Sequence, residues 1–127
     1  MTRISVLSAF AGVVGLIASA SSIAADSTVL RVLVIKTDDV PAYVSEVKNL
    51  QALYSKNGLQ ITLRVWRATY AGPDTGTIVL SAELPNLAAV ATISDSVKKN
   101  PEIAAEMKKI NGMRKIVSDS LYDLQTN

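Results

Sequence analysis

Between Ile61 and Leu84 the chain is patterned as a β-hairpin, and that hairpin constrains everything around it. Ile61 to Tyr70 alternates apolar and polar residues, as does the return strand from Thr77 to Leu84. The six residues between them, Ala71-Gly72-Pro73-Asp74-Thr75-Gly76, are rich in turn formers. Side chains on a strand alternate between faces, so the register decides which residues meet and a one-residue slip is forbidden by the pattern. With Tyr70 opposite Thr77, Leu63 faces Leu84 and Val65 faces Ala82. Arg64 then meets Glu83, and Trp66 meets Ser81. A slip of two residues would keep the faces and break the Arg64–Glu83 pair. One face of the hairpin is plain core. The other carries Arg64, Trp66, Tyr70 and Glu83, and function belongs there.

The N-terminal segment stands apart from this pattern. Arg3 supplies a positive start, and Ile4 to Ile23 is uncharged and rich in Ala, Val, Leu, Ile and Gly. Small residues follow, ending Ser22-Ile23-Ala24-Ala25 before Asp26. This is the layout of a secretory signal peptide cleaved after Ala24 or Ala25, which predicts a periplasmic or secreted protein. The uncharged run also approaches the length of a membrane span, the competing reading. It is diluted by Ser and Gly, and no stop-transfer charge cluster follows, so no stable anchor is expected after cleavage. The expected division is a signal peptide over residues 1–25 and one domain over residues 26–127.

Composition removes several functional classes. The 127-residue chain carries a formal net charge of only +2 and contains neither Cys nor His. A near-neutral domain lacks the clustered basic face of a nucleic-acid binder. Without Cys there is no disulfide, thiol nucleophile or thiolate metal site. Without His the commonest general base, metal ligand and haem ligand are missing, and a serine triad has no partner for its serine. No cofactor and no metal site are therefore expected. Asp38-Asp39 reads as a helix cap, and Gly72 with Gly76 makes no phosphate loop because no Lys and no helix follow the turn.

The remaining elements follow in order. Thr28 to Lys36 is a nearly continuous apolar run of strand length. Thr37-Asp38-Asp39 and Pro41 open a helix whose stripe is Val40, Val44, Val47, Leu50 and Tyr54, closed by Asn57-Gly58. After the hairpin, Asn86 caps a second helix with Leu87, Val90, Ala91, Ser94 and Val97 inward. Asn100-Pro101-Glu102 interrupts and restarts it, and Asn111-Gly112 closes it. A last strand spans roughly Arg114 to Leu124, with Ile116, Ser118, Ser120 and Tyr122 on one face.

The order βαββαβ with right-handed crossovers is the α+β ferredoxin-like arrangement, a four-stranded antiparallel sheet with both helices on one face. The helices are expected to cover Leu30, Val32, Val34, Leu63, Val65, Leu80 and Ala82. That leaves Val29, Leu33, Ile35, Trp66 and Val79 on the bare face, an apolar patch that calls for a second copy of the chain.

The βαββαβ order, the Arg-Val-Trp-Arg-Ala-Thr strand, the Ala71–Gly76 turn, the Leu-Pro-Asn-Leu helix entry and the Asn-Pro-Glu break resemble the dimeric α/β-barrel superfamily. The nearest resemblance is to small NIPSNAP-like and antibiotic-biosynthesis-monooxygenase-like proteins, and it covers Val29 to about Leu124. It implies two sheets packed into a shared barrel, with a ligand cavity between sheet and helices in many members. Haem- and metal-using members rely on a histidine, which this chain lacks. Two functions are compatible with these readings. One is a homodimeric binding or assembly module for a small, partly apolar or aromatic molecule, with Arg64, Trp66, Tyr70, Glu83 and Tyr122 as candidate ligand contacts. The other is a cofactor-free monooxygenase or isomerase acting on an aromatic or polyketide-like substrate, with Glu83, an Asp or a tyrosinate as base. Each candidate also has a plainer role: Arg64–Glu83 as a register-fixing pair, Trp66 as interface, the tyrosines as packing.

Export gives the first testable outcome. The intact mass of protein purified from its native host should correspond to a chain beginning at Ala25 or Asp26. Recovery of the full-length chain in the membrane fraction would contradict it.

Overall fold

The computed structural model describes residues 27–126, and the expected signal peptide lies outside them. The elements are β1 (Val29–Lys36), α1 (Val40–Lys56), β2 (Thr62–Arg67), β3 (Ile78–Leu84), α2 (Leu87–Lys99), α3 (Pro101–Gly112) and β4 (Lys115–Asp123). The strands form one antiparallel sheet in the order β2-β3-β1-β4. Residues of α1 and α3 pack with one face of it in a single core. This is the ferredoxin-like fold, with the second helix divided at Asn100.

Local chemistry sets the helix ends. The Asp39 carboxylate accepts from the Ala42 N–H at 3.0 Å, and Pro41 fits the first turn of α1. At the other end Gly58 takes φ 71°, while the Gly58 and Leu59 N–H groups donate to the Ser55 and Tyr54 carbonyls. Those two bonds complete a Schellman closure, in which only glycine adopts the left-handed turn without strain. Asn86 caps α2 through the Ala89 N–H. Asn100 caps α3 by accepting from Glu102 and Ile103, and its amide donates to Asn57 Oδ1 at 3.1 Å. Helix α3 continues through Gly112 and ends at Met113 in a right-handed conformation. The expected glycine closure is absent, and Asn111 instead accepts from Arg114 at 2.8 Å.

Three sequence expectations are corrected. The first concerns the parity of β1. Val29, Leu33 and Ile35 are 1 %, 5 % and 1 % exposed beneath the helices. They pair with Leu84, Leu80 and Ile78, which share that face. Leu30, Val32 and Val34 lie on the bare face instead, so Val29, Leu33 and Ile35 are core rather than available to a partner. Trp66 and Val79 do lie on the bare face, directly paired. The reason is that β1 is apolar on both sides, so alternation fixes its period and leaves its phase open.

The second correction is the hairpin register. Thr62 pairs with Glu83, Arg64 with Ser81, and Trp66 with Val79. The loop takes more of the chain than expected, with a 3₁₀ turn at Gly72–Asp74 and the Ala68 N–H donating to the Thr77 carbonyl. The pairing therefore moves by two residues. The faces survive, and Arg64–Glu83 becomes a diagonal contact at 3.4 Å. The third correction is in β4. An irregularity between Val34 and Ile35 sets Ile116 opposite Ile35, while Ser118, Ser120 and Tyr122 oppose Val34, Val32 and Leu30. Ile116 is thereby moved to the helix side.

The edge strand β2 is protected on its free side. Leu63 donates its N–H to Gln51 Oε1 at 2.6 Å, and Gln51 Nε2 donates to the Ile61 carbonyl at 2.9 Å. One side chain from α1 thus occupies the backbone groups that would otherwise recruit a stray strand.

Asn100 is the most economical test of this architecture. Asn100→Ala should destabilise the domain by about 1 kcal/mol, lowering the Tm by roughly 4–8 °C, whereas Asn100→Asp should retain most of the stability. An unchanged Asn100→Ala melt would show that the break between α2 and α3 is held by other contacts.

Candidate functional site

The sheet has two candidate surfaces, one on each side. The bare face collects Leu30, Val32 and Val34 from β1, Trp66 from β2, Val79 from β3 and Tyr122 from β4. Trp66 is 53 % exposed and Tyr122 57 % exposed. The Trp66 indole N–H donates to Ser81 Oγ at 2.8 Å, which fixes the ring against the sheet. Arg64 and Glu83 sit beside it, each about half exposed. Of the five expected ligand contacts, four therefore share this face. Tyr70 does not, because β2 ends at Arg67 and Tyr70 stands in the loop, completely exposed.

The opposite side holds a cavity of about 440 Å³ between the sheet and the helices. None of the five expected ligand residues lines it. Its floor is Leu33, Leu63, Leu80, Ala82 and Leu84, its roof includes Val90, Ile93 and Val97 of α2, and Leu50, Met107 and Ile110 close its walls. The cavity persists because α2 settles only part-way onto the sheet. No residue of α2 is fully buried, although both its ends are capped. An apolar volume with a few convergent polar groups is the usual form of a small-molecule site.

Those polar groups are Arg31, Tyr54, Ser94, Lys98, Asn111 and Arg114. Arg31 projects from the helix side of β1 and makes a two-point contact with Asp119. Its Nε donates to Oδ1 at 3.0 Å and its Nη2 to Oδ2 at 2.7 Å. That contact holds the Asp119 carboxyl below its ordinary range and raises Arg31 above its own. Arg114, just before β4, donates through Nη1 to the Tyr43 hydroxyl at 2.9 Å and through Nη2 to Asn111 Oδ1 at 2.8 Å. Both acceptors are neutral. The Arg114 Nε is buried and has no partner among the described residues, a deficit that costs about 1–3 kcal/mol. Tyr54 is 2 % exposed; desolvation pushes its phenol up to about 12, against the opposing pull of Arg31 and Arg114.

Residue-by-residue reading of the sequence missed Arg31, Tyr54, Arg114 and Asp119. Arg31 carried a usable signal, a lone cation inside the apolar run Val29 to Ile35. Tyr54 belongs to the inward stripe of α1, and periodicity alone does not show its place at the cavity wall.

Other polar clusters lie elsewhere. Lys109 contacts Glu46 at 3.0 Å on the seam of α1 and α3. Glu46 is held below the ordinary carboxyl range by its hydrogen bonds to Glu106 and Lys109, and Glu106 is raised by desolvation and by Glu46. Among the described residues no group of three or more His, Cys, Asp or Glu is placed to hold a metal ion, and no helix is long and apolar enough to cross a membrane.

The displaced phenol of Tyr54 has a measurable consequence. Its folded-state value lies above the ordinary 10.0, so the folded protein holds that proton more tightly than the unfolded chain. The associated stability is fully present below pH 10 and is lost as the pH rises towards about 12. Tyr54→Phe should flatten that fall in a denaturant series. An identical alkaline profile in the variant would place Tyr54 in a wetter setting than the one described.

No protein-family model and no curated protein matches the chain. Several solved structures share its fold, three of which illustrate the likeness. One is a conserved protein of unknown function from Bacteroides thetaiotaomicron, described as a possible oxidoreductase. It is 12 % identical, with a TM-score of 0.56, over 79 % of this chain and 100 % of that one. A mutant of SnoaB, a cofactor-independent oxygenase from Streptomyces nogalater, is 13 % identical with a TM-score of 0.58, over 80 % of this chain and 96 % of that one. The structural-genomics protein YJCS is 16 % identical with a TM-score of 0.52, over 78 % of this chain and 100 % of that one. At such identities the likeness is one of fold alone.

Proposed function

We propose that this protein is an exported homodimeric binding module that holds a small, partly apolar molecule between its sheet and its helices. The observation that carries the reading is the cavity of about 440 Å³, walled by aliphatic side chains and provided with a few polar groups in its lining. Export is supported by the N-terminal sequence. Dimerisation is supported by the bare face, where Leu30, Val32, Val34, Trp66, Val79 and Tyr122 form one apolar surface. Burying a tryptophan removes about 150–250 Å² from water, which at about 25 cal/mol per Å² contributes several kcal/mol. Arg64, Ser81 and Glu83 border that surface and supply polar contacts for a two-fold interface.

A second reading, cofactor-free oxygenation or isomerisation, draws on the shared fold with SnoaB. It requires a base within reach of bound substrate. Glu83, the carboxylate singled out for that role, is half exposed, paired with Arg64 and on the opposite side of the sheet. The cavity lining includes no carboxylate, and its tyrosine keeps its proton to about pH 12. These features favour binding over catalysis.

Two measurements test the proposal. Native mass spectrometry of protein from its own host should reveal a retained small molecule that denaturation releases. In light scattering at micromolar concentration the wild type should be a dimer. Trp66→Asp should be a monomer or aggregate, and Lys108→Asp, on the exposed side of α3, should remain dimeric. A wild-type monomer would defeat the assembly part of the proposal, as would a Trp66→Asp dimer as stable as the parent.

A further inference from the structure

The lining of the cavity is electrostatically unbalanced. Arg31, Lys98 and Arg114 all line it, and no carboxylate does. Asp119 stands behind Arg31 and engages it with both oxygens, which compensates one of the three cations. Arg114 has no ion pair among the described residues. Its two hydrogen bonds go to a phenol and an amide, neutral acceptors that orient the guanidinium and leave its charge intact. Its Nε has no acceptor at all.

The Asp119 carboxylate lies within electrostatic reach of Arg114 but makes no hydrogen bond to it, so the guanidinium charge is only partly offset and burial penalises the remainder. An orienting frame of neutral partners around it is what an anion site requires, because the donor is fixed before the ligand arrives. Asn111 contributes to that frame from α3, and Tyr43 from α1. The rest of the lining is largely aliphatic and includes Leu33, Leu50, Ile93, Val97, Met107 and Ile110. A ligand that satisfies both parts of the lining has one anionic end and an apolar body.

We infer that the ligand of this cavity is an apolar monocarboxylate, seated with its carboxylate against Arg114 and the free edge of Arg31 and its hydrocarbon body between the sheet and α2. The inference rests on the reading of the cavity as a binding site and adds the chemistry of what binds. Arg114 is the specificity-determining residue. Arg31 is braced by Asp119 and so presents a fixed second cation. Lys98, on α2, lines the cavity from the side of the loosely seated helix.

The test compares decanoate with decanol, which share a hydrocarbon chain and differ in charge, by calorimetric titration of the mature protein at neutral pH and low salt. Decanoate should bind about ten- to a hundredfold more tightly, the factor expected for hydrogen bonds to a charged group. The preference should fade as the pH falls through the range in which the fatty acid becomes protonated. In Arg114→Gln it should collapse while decanol affinity stays the same, and Arg114→Lys should recover part of it. Ser94→Trp, which fills the cavity from the half-buried roof helix, should abolish binding of both probes. Equal affinity of the wild type for the two probes would overturn the carboxylate inference and leave the cavity as a binding site. Binding of neither would overturn both, and binding of both to Ser94→Trp at wild-type strength would move the site elsewhere. Should Arg114→Gln fail to fold, the wild-type comparison and its pH dependence still decide.

Discussion

The phase of strand β1 governs this structure. β1 lies between β3 and β4, so whichever of its faces turns to the helices sets the faces of all three strands at once. Both faces are apolar enough to be buried. Turning the face of Val29, Leu33 and Ile35 inward builds the main core from Leu33 and Ile35 with Tyr43, Tyr54, Ile103 and Ile110, and sets Val29 in a smaller cluster with Ala82 and Leu84. It also turns Arg31 inward, since Arg31 shares their parity. The opposite choice would send Arg31 to the bare face and remove it from the cavity lining. What looks like a charge misplaced on a buried strand is therefore tied to the apolar cavity between sheet and helices.

Arg31 is tolerated there because the helices do not roof the whole sheet. The side chains of Arg31 and Asp119 are about half exposed, and Leu121 is 50 % exposed, so the β4 side of the inner face stays wet. An ion pair in that setting contributes about 0–1 kcal/mol, too little to explain on stability grounds why a cation occupies a core-facing position. Its geometric effect is greater. Two hydrogen bonds to one carboxylate hold the guanidinium plane in place and leave its other edge available.

Much of the fold was legible because its signals are local. Asp39, Asn86 and Asn100 each cap the helix that follows, and Asn57-Gly58 closes α1. Such punctuation depends on a few adjacent residues, and it failed only at Asn111-Gly112, where α3 runs on to Met113. Phase and register depend on what lies across the sheet, and there the sequence was ambiguous. β1 offered no polar face to orient it. The hairpin loop could consume more or fewer residues without disturbing the alternation, so Arg64 and Glu83 were assigned as direct partners when they touch diagonally. The cavity was hidden for a related reason. Its lining comes from three helices and all four strands, and its cations are far apart in sequence, at Arg31, Lys98 and Arg114. No periodic signal connects such residues. The single clue was a residue that obeyed no pattern, and positions where local rules fail are where function tends to sit.

The two sides of the sheet divide the labour. The bare face is flat, aromatic and bordered by one ion pair, features that fit association with a second sheet. The helix side has volume, charge asymmetry and a roof helix that buries none of its residues fully. Side chains on neighbouring strand positions point in opposite directions, so Val65 belongs to the core side while Arg64 and Trp66 belong to the bare face. A substitution of Trp66 therefore changes the outer surface without touching the cavity lining, and a substitution of Arg114 does the reverse. Residues with no shared partners act nearly additively. The proposed assembly and ligand recognition can accordingly change separately, with the apolar layer of β1, β2 and β3 lying between the two surfaces.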